Sequence, residues 1–130
     1  MALDERALYP RFSRFISSSW KDGGSAAFEL KIVQPGCAYR FAQLADHQER
    51  ALRMVRLPTG LYHKISDQSQ GAKPFDSFLL ANCAAYVVIC FASKCYFVTI
   101  DNYLRLKQAS PAKSVSEKEV AIYSSFDALI

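Results

Sequence analysis

The sequence lacks several features that would place the protein in a functional class at once. Its four cysteines include no C-x-x-C pair, so we expect no zinc site and, by default, reduced buried thiols. No apolar run approaches the length of a membrane span, and CAAYVVICFA is typical of a core strand. The N-terminus carries acidic and basic residues where a secretion signal would have an apolar core. These absences predict a cytoplasmic protein that makes no membrane contact.

The composition instead predicts one ordered domain over residues 1–130. Hydrophobic residues make up 51% of the chain, too many for a disordered segment and enough to form a core. There is no internal repeat or low-complexity stretch. The net charge of +4 permits a nucleic-acid partner without requiring one.

Apolar periodicity predicts the order helix, strand, helix and then four strands, which indicates an α/β protein with a mixed sheet covered by helices. Pro10 predicts a break or a late start in the first helix, and KDGGSA and DQSQGAK predict a turn and a polar loop. The predicted elements are a helix over 3–19, a strand over 27–33, a helix over 40–56, a hairpin of 60–66 with 74–80, the strands AAYVVICF and CYFVTID, and a short helix at NYLRLK.

Four polar residues occupy unexpected places in these elements. Glu29 and Lys31 lie on one face of a short strand, because side chains alternate along a strand. Gln48 falls within the apolar stripe of the second helix, and Asp76 follows Pro-Phe at the start of a strand. Each has a plain structural explanation: an exposed ion pair for Glu29 and Lys31, a satisfied interior amide for Gln48, and turn chemistry for Asp76.

Taken together, these residues suggest a site for a hard divalent cation. Mg²⁺ prefers oxygen ligands and often takes only one or two carboxylates while keeping several waters. A bound cation can activate water and stabilise negative charge on a phosphate, and a nearby lysine can orient the water.

The run FELK, then FAQLADHQERALRMV, then AYVVICF and YFVTID resembles the PD-(D/E)xK nuclease superfamily, and within it the Holliday-junction resolvases. The resemblance covers roughly residues 27–104 and implies a restriction-endonuclease-like α/β fold with about five central strands. In most of that family the aspartate strand precedes E-x-K. Here KPFD follows the His-Gln helix, as in a permuted version of the core that could still place Asp76 beside Glu29 and Lys31.

The resemblance implies a role for each of these residues. Asp76 and Glu29 would be Mg²⁺ ligands together with the backbone carbonyl of Leu30, and Mn²⁺ would substitute for Mg²⁺. Lys31 would position or help to deprotonate the attacking water, and Gln48 would reach toward Lys31 or the scissile phosphate. Some members of the family add a glutamate from the first helix, for which Glu5 is the equivalent here; the alternative is that Glu5 frays with the terminus.

Further residues are candidates for DNA contacts. Around the polar loop, phosphates could be bound by His63, Lys64 and Lys73, whereas Asp67 is typical of turn capping. The predicted second helix carries four arginines that either grip a DNA backbone or form a solvated face: Arg40, Arg50, Arg53 and Arg56. His47 is expected at the surface of that helix rather than at a metal.

The sequence-level hypothesis is therefore a Mg²⁺-dependent endonuclease that hydrolyses phosphodiester bonds in branched DNA and acts as a homodimer, because a four-way junction has two-fold symmetry. Two alternatives stay open. One is a non-catalytic nucleic-acid-binding module in which the same residues form ion pairs, and the other is an end-processing or repair nuclease.

Overall fold

A computed structural model of the chain describes residues 4–20, 24–67 and 72–130. Its four helices are α1 (Glu5–Ser19), α2 (Asp46–Arg56), α3 (Ile100–Ala109) and α4 (Glu117–Tyr123). Its eight strands are β1 (Ala26–Ile32), β2 (Tyr39–Arg40), β3 (Leu61–Lys64), β4 (Ser77–Leu80), β5 (Ala84–Cys90), β6 (Cys95–Thr99), β7 (Ser114–Val115) and β8 (Phe126–Ala128).

The central sheet has four strands in the order β1-β5-β6-β8. β1 and β5 are parallel and are linked through α2, whereas the other two pairings are antiparallel. This mixed sheet flanked by helices confirms the predicted α/β class, with four central strands in place of about five. The difference arises because β3 and β4 pair with each other in a separate two-stranded sheet, while β8 from the tail joins the centre.

Each face of the central sheet carries its own apolar core. Phe28 and Leu30 of β1 belong to the core covered by α1, whose Phe12 is buried there. Ala27 points to the opposite face, where α2, α3 and α4 pack with Val55, Tyr103 and Val120 among others. Because side chains alternate along β1, Glu29 and Lys31 lie on the same face as Ala27 and are directed toward α2.

The second helix is shorter than the periodicity predicted. Residues 40–45 leave the helix because Tyr39 and Arg40 pair with β7, after which Phe41–Gln43 form one 3₁₀ turn. The α2 helix therefore begins at Asp46.

The first helix differs from the prediction in another way, because α1 runs through Pro10 without the expected break. Its apolar stripe packs on the sheet, and this tertiary packing outweighs the hydrogen bond that proline removes.

The cysteines differ from the prediction, and the predicted turn and polar loop lie only partly within the described residues. Cys90 and Cys95 stand opposite each other at the paired ends of β5 and β6 and form a disulfide, so the prediction of reduced thiols is wrong for this pair. Cys37 and Cys83 are free. Parts of the predicted turn at 21–26 and of the polar loop at 67–73 lie outside the described residues.

Two tyrosines under the 3₁₀ turn give the fold a dependence on alkaline pH. The hydroxyl oxygens of Tyr39 and Tyr103 are 2.8 Å apart in the core. Burial is the largest cause that raises the pKa of both phenols, and it brings the pKa of Tyr103 to about 12. A phenol with a raised folded-state pKa contributes stability that is fully present below its unfolded pKa, about 10, and is lost as the pH rises through about 12.

We therefore expect the free energy of unfolding, measured by urea denaturation, to decrease between pH 10 and 12. A Tyr103→Phe variant serves as the control, because it removes one of the two phenols and should show a shallower decrease. Equal slopes for the variant and the wild-type protein would contradict this assignment.

Candidate active site at the edge of the central sheet

Glu29 and Lys31 occupy the middle of an edge strand, on the face that α2 covers. The Lys31 ammonium lies 3.4 Å from Glu29 Oε1, and the exposed fractions of the two side chains are 15% and 31%. The pair is therefore largely shielded from water on one side and open at the edge of the sheet. Burial of this degree makes an ion pair stronger than one that is fully exposed.

Gln48 joins the pair from the first turn of α2. Its Nε2 donates to Glu29 Oε1 over 3.0 Å, and its Oε1 accepts from Lys31 Nζ over 3.0 Å. The same Oε1 accepts from the backbone N–H of Ala45 over 3.1 Å, which holds the amide in one orientation. Glu29, Lys31 and Gln48 thus form one hydrogen-bonded group, called the Glu29 cluster below. The resemblance implied only that Gln48 would reach toward Lys31 or the scissile phosphate.

The backbone next to the cluster presents carbonyl groups to the open edge. The N–H of Val33 donates to Cys90 of β5, whereas the carbonyl of Ile32 accepts from the Gln43 amide outside the sheet over 3.0 Å. Backbone groups alternate in direction along a strand, so the carbonyl of Leu30 points the same way as that of Ile32. The predicted carbonyl ligand therefore lies on the side of β1 where a ligand can approach.

Two further carboxylates line a cleft that Lys31 also lines. An open cleft of about 420 Å³ is lined by Lys31 and Ile32 from β1, by Gln34 and Gln43, and by Asp4 and Glu5 at the start of α1. Glu5 is in the first turn of that helix, which Asp4 caps by accepting from the N–H of Arg6. Glu5 is thus the first residue of α1 and lies beside the cleft that Lys31 lines.

Asp76 lies apart from the Glu29 cluster. It directly precedes β4, at the outer end of the separate β3–β4 hairpin, whereas Leu61 and Leu80 at the other end pack on the α2-side core. Its side chain is 87% exposed and pairs with Lys73 at 3.3 Å. The expected placement of Asp76 beside Glu29 and Lys31 in the central sheet is therefore not observed, because β4 belongs to another sheet.

The predicted DNA contacts fall on two surfaces. His63 and Lys64 are exposed on β3, and the His63 ring packs 5.5 Å from that of Phe78. Lys73 is held between Asp67 and Asp76, so two carboxylates neutralise its charge within the hairpin region. On α2, the exposed residues include Arg50, Arg53 and His47.

Gln43 is a member of this region that sequence reasoning missed. Its amide bridges the Ile32 carbonyl of β1 and the backbone N–H of Arg40, at 3.0 and 3.2 Å. The periodicity placed Gln43 inside a helix, where it has no evident role. The detectable signal was the spacing of Arg40 to Gln43 and of Ala45 to Gln48, since a glutamine three residues after a cap position often accepts from the cap N–H.

The oxygen donors at the edge of β1 are the Glu29 carboxylate and the Leu30 carbonyl, and Glu5 lines the cleft beside Lys31. A magnesium ion that keeps several waters takes only one or two carboxylates from a protein. Among residues 4–20, 24–67 and 72–130, no three histidine, cysteine or acidic side chains are grouped closely enough to form a metal site by themselves.

None of the helices in the described part of the chain has the length and apolar character needed to cross a bilayer. Searches against protein-family models, curated proteins and solved structures gave no match to this chain.

Proposed function

We propose that the protein is a Mg²⁺-dependent DNA endonuclease of restriction-endonuclease-like fold that hydrolyses phosphodiester bonds, with branched DNA as its substrate. The observation that carries the proposal is the Glu29 cluster, in which a carboxylate, an ammonium and an amide meet at an open sheet edge. The order of elements adds support, because the strand with E-x-K leads through the Gln48 helix to the adjacent parallel strand β5.

Lys31 is suited to act on the attacking water. An ammonium group has three N–H donors, and in this structure one lies toward Gln48 and one toward Glu29. A third donor is left for the cleft that Lys31 lines, where it can orient a water molecule or stabilise negative charge on the phosphate.

Gln48 and Glu29 hold Lys31 in place for this task. Because Gln48 Oε1 also accepts from Ala45, the position of the Lys31 ammonium is tied to the start of α2. When bound, a divalent ion neutralises charge on the scissile phosphate and acidifies water at the site. Glu29 supplies the carboxylate for such an ion, and its Oε1 already faces two donors that keep the side chain oriented.

A cleavage assay tests the function. The protein is incubated with labelled four-way junction, linear duplex, covalently closed circular duplex and single-stranded DNA, in Mg²⁺ and in EDTA. We expect paired cuts in the junction that require Mg²⁺ or Mn²⁺ and disappear in EDTA. Cutting of linear but not closed DNA would instead indicate an end-processing nuclease.

The same assay addresses a second candidate function, a DNA-binding module without catalytic activity. The observation that favours it is the separation of Asp76 from Glu29, which leaves the cluster with fewer carboxylates than the resemblance implies. A folded protein that binds junction DNA but cuts no substrate in either cation would support this module and contradict the endonuclease.

We also propose that the active form is a homodimer, because the two symmetric cuts in a four-way junction require two active sites related by a two-fold axis.

A further inference from the structure

We propose that a groove leads from the Glu29 cluster along the edge of β1 to Arg40. We propose that Arg40 binds a backbone phosphate next to the scissile phosphate, on the same DNA strand. This inference rests on the proposed function, since it names where the rest of the substrate lies. The sequence left Arg40 as one of four helix arginines without a defined role, and the structure instead places it on β2, beside Ser114 and the groove.

The groove is formed by two adjoining clefts. The first is the cleft of Lys31 and Glu5 described above, and the second has a volume of about 490 Å³ and reaches the β2–β7 pair. The two share the wall residues Ile32, Gln34 and Gln43. A ligand that lies over Lys31 can therefore continue along the same surface to Arg40 and Ser114.

The charges along the groove suit a DNA strand that is cut at one end of the groove, where a cation would bind, and held at the other end. The first cleft contains the carboxylates of Asp4 and Glu5 beside Lys31. In the second cleft Arg40 is the one charged residue among the lining residues. Its side chain is exposed, and within the described residues no carboxylate lies in ion-pair distance of it.

Arg40 also has a neighbour that suits a phosphate. Ser114 stands directly opposite it in the β2–β7 pair and lines the same cleft, so a guanidinium and a hydroxyl are available together. Guanidinium groups bind phosphates with two parallel hydrogen bonds, and serine hydroxyls are common phosphate donors in DNA complexes.

The backbone of Arg40 is fixed relative to the Glu29 cluster. Its N–H donates to Gln43, whose amide also binds the Ile32 carbonyl on β1. Tyr39, which precedes Arg40 in the chain, is fully buried, and its hydroxyl group is hydrogen-bonded to that of Tyr103. The Gln43 amide thus links the backbone of Arg40 to β1, the strand that carries Lys31. A residue that holds a DNA strand in register for cleavage needs such a fixed position relative to the catalytic group.

The first test measures binding of four-way junction DNA over a range of salt concentrations, in Ca²⁺ or EDTA so that the DNA stays intact. We expect Arg40→Ala to bind about tenfold more weakly and to lose about one unit of salt slope, because one phosphate contact is removed. Arg40→Lys should recover part of the loss. The matched control is Arg105→Ala, which removes an exposed arginine from α3, outside the groove, and should leave both quantities unchanged.

The second test replaces single phosphates near the cut with neutral methylphosphonates. At one position next to the cut, the replacement should slow cleavage by the wild-type protein about tenfold and have no further effect on Arg40→Ala. If Arg40→Ala matches Arg105→Ala in affinity, salt slope and methylphosphonate response, the inference about Arg40 is overturned. The proposed function still stands in that case if the wild-type protein cleaves DNA with Mg²⁺. If the wild-type protein binds DNA without cutting it, the salt slopes still decide the role of Arg40. No binding of any DNA would contradict both proposals.

Discussion

Replacing Lys31 with alanine is expected to slow Mg²⁺-dependent cleavage of a four-way junction by about 10²- to 10³-fold. The ammonium is the one positive charge of the Glu29 cluster, so it can orient the attacking water and stabilise negative charge on the phosphate, and its position is set by its contacts with Glu29 and Gln48. The measurement is the single-turnover rate at saturating enzyme, so that weaker binding does not contribute to the loss.

The control for this prediction is Lys107→Ala. Lys107 forms a comparable pair with Glu49, at 3.3 Å on the neighbouring surface of α2 and α3, but it does not belong to the cluster. We expect this variant to cleave at close to the wild-type rate. A Lys31→Ala rate within threefold of that of Lys107→Ala would exclude a catalytic role for Lys31.

Replacing Phe97 with alanine is expected to lower the free energy of unfolding by about 3–5 kcal/mol, a large share of the stability of an ordinary domain. Phe97 is fully buried on β6 at the centre of the core beneath α1. Its ring lies 4.4 Å from that of Phe126, 5.8 Å from Phe15 and 6.0 Å from Phe12, measured between ring centres. The alanine variant would leave a cavity that these rings cannot fill without leaving their own contacts.

Urea denaturation followed by circular dichroism measures this effect. Phe75→Ala is the matched control, because it removes the same side chain from a position that is 53% exposed, and we expect a change within about 0.5 kcal/mol. Similar losses for the two variants would show that the aromatic rings under α1 do not form the main core of the fold.

The contact between Gln48 and the E-x-K pair could be predicted because it depends on two local periodicities. Alternation along β1 puts Glu29 and Lys31 on one face, and the helical stripe puts Gln48 on the side of α2 that packs on the sheet. Once helices cover this sheet, the three side chains meet. The α/β class follows from the same patterns, since the apolar runs that form β5 and β6 are rich in β-branched and aromatic residues.

The remaining differences come from pairings between distant segments, which local patterns do not encode. The start of α2 depends on the pairing of Tyr39 and Arg40 with β7, more than seventy residues further along the chain. The fourth central strand comes from the tail, where Phe126 pairs with Phe97. The hairpin of β3 with β4 was predicted and is confirmed, but its separation from the central sheet, which sets the location of Asp76, was not predicted.

The central claim is that the Glu29 cluster is a cation-dependent catalytic centre. Its most direct test is a Mn²⁺ titration in the absence of DNA, with binding measured by isothermal titration calorimetry or electron paramagnetic resonance. We expect the wild-type protein to bind Mn²⁺ and Glu29→Gln to bind it at least about tenfold more weakly. Glu49→Gln, which changes the glutamate of the neighbouring Lys107 pair, should bind as the wild-type protein does. Equal Mn²⁺ affinity in the wild-type protein and Glu29→Gln, or no binding by either folded protein, would contradict the claim and identify the cluster as a structural ion pair.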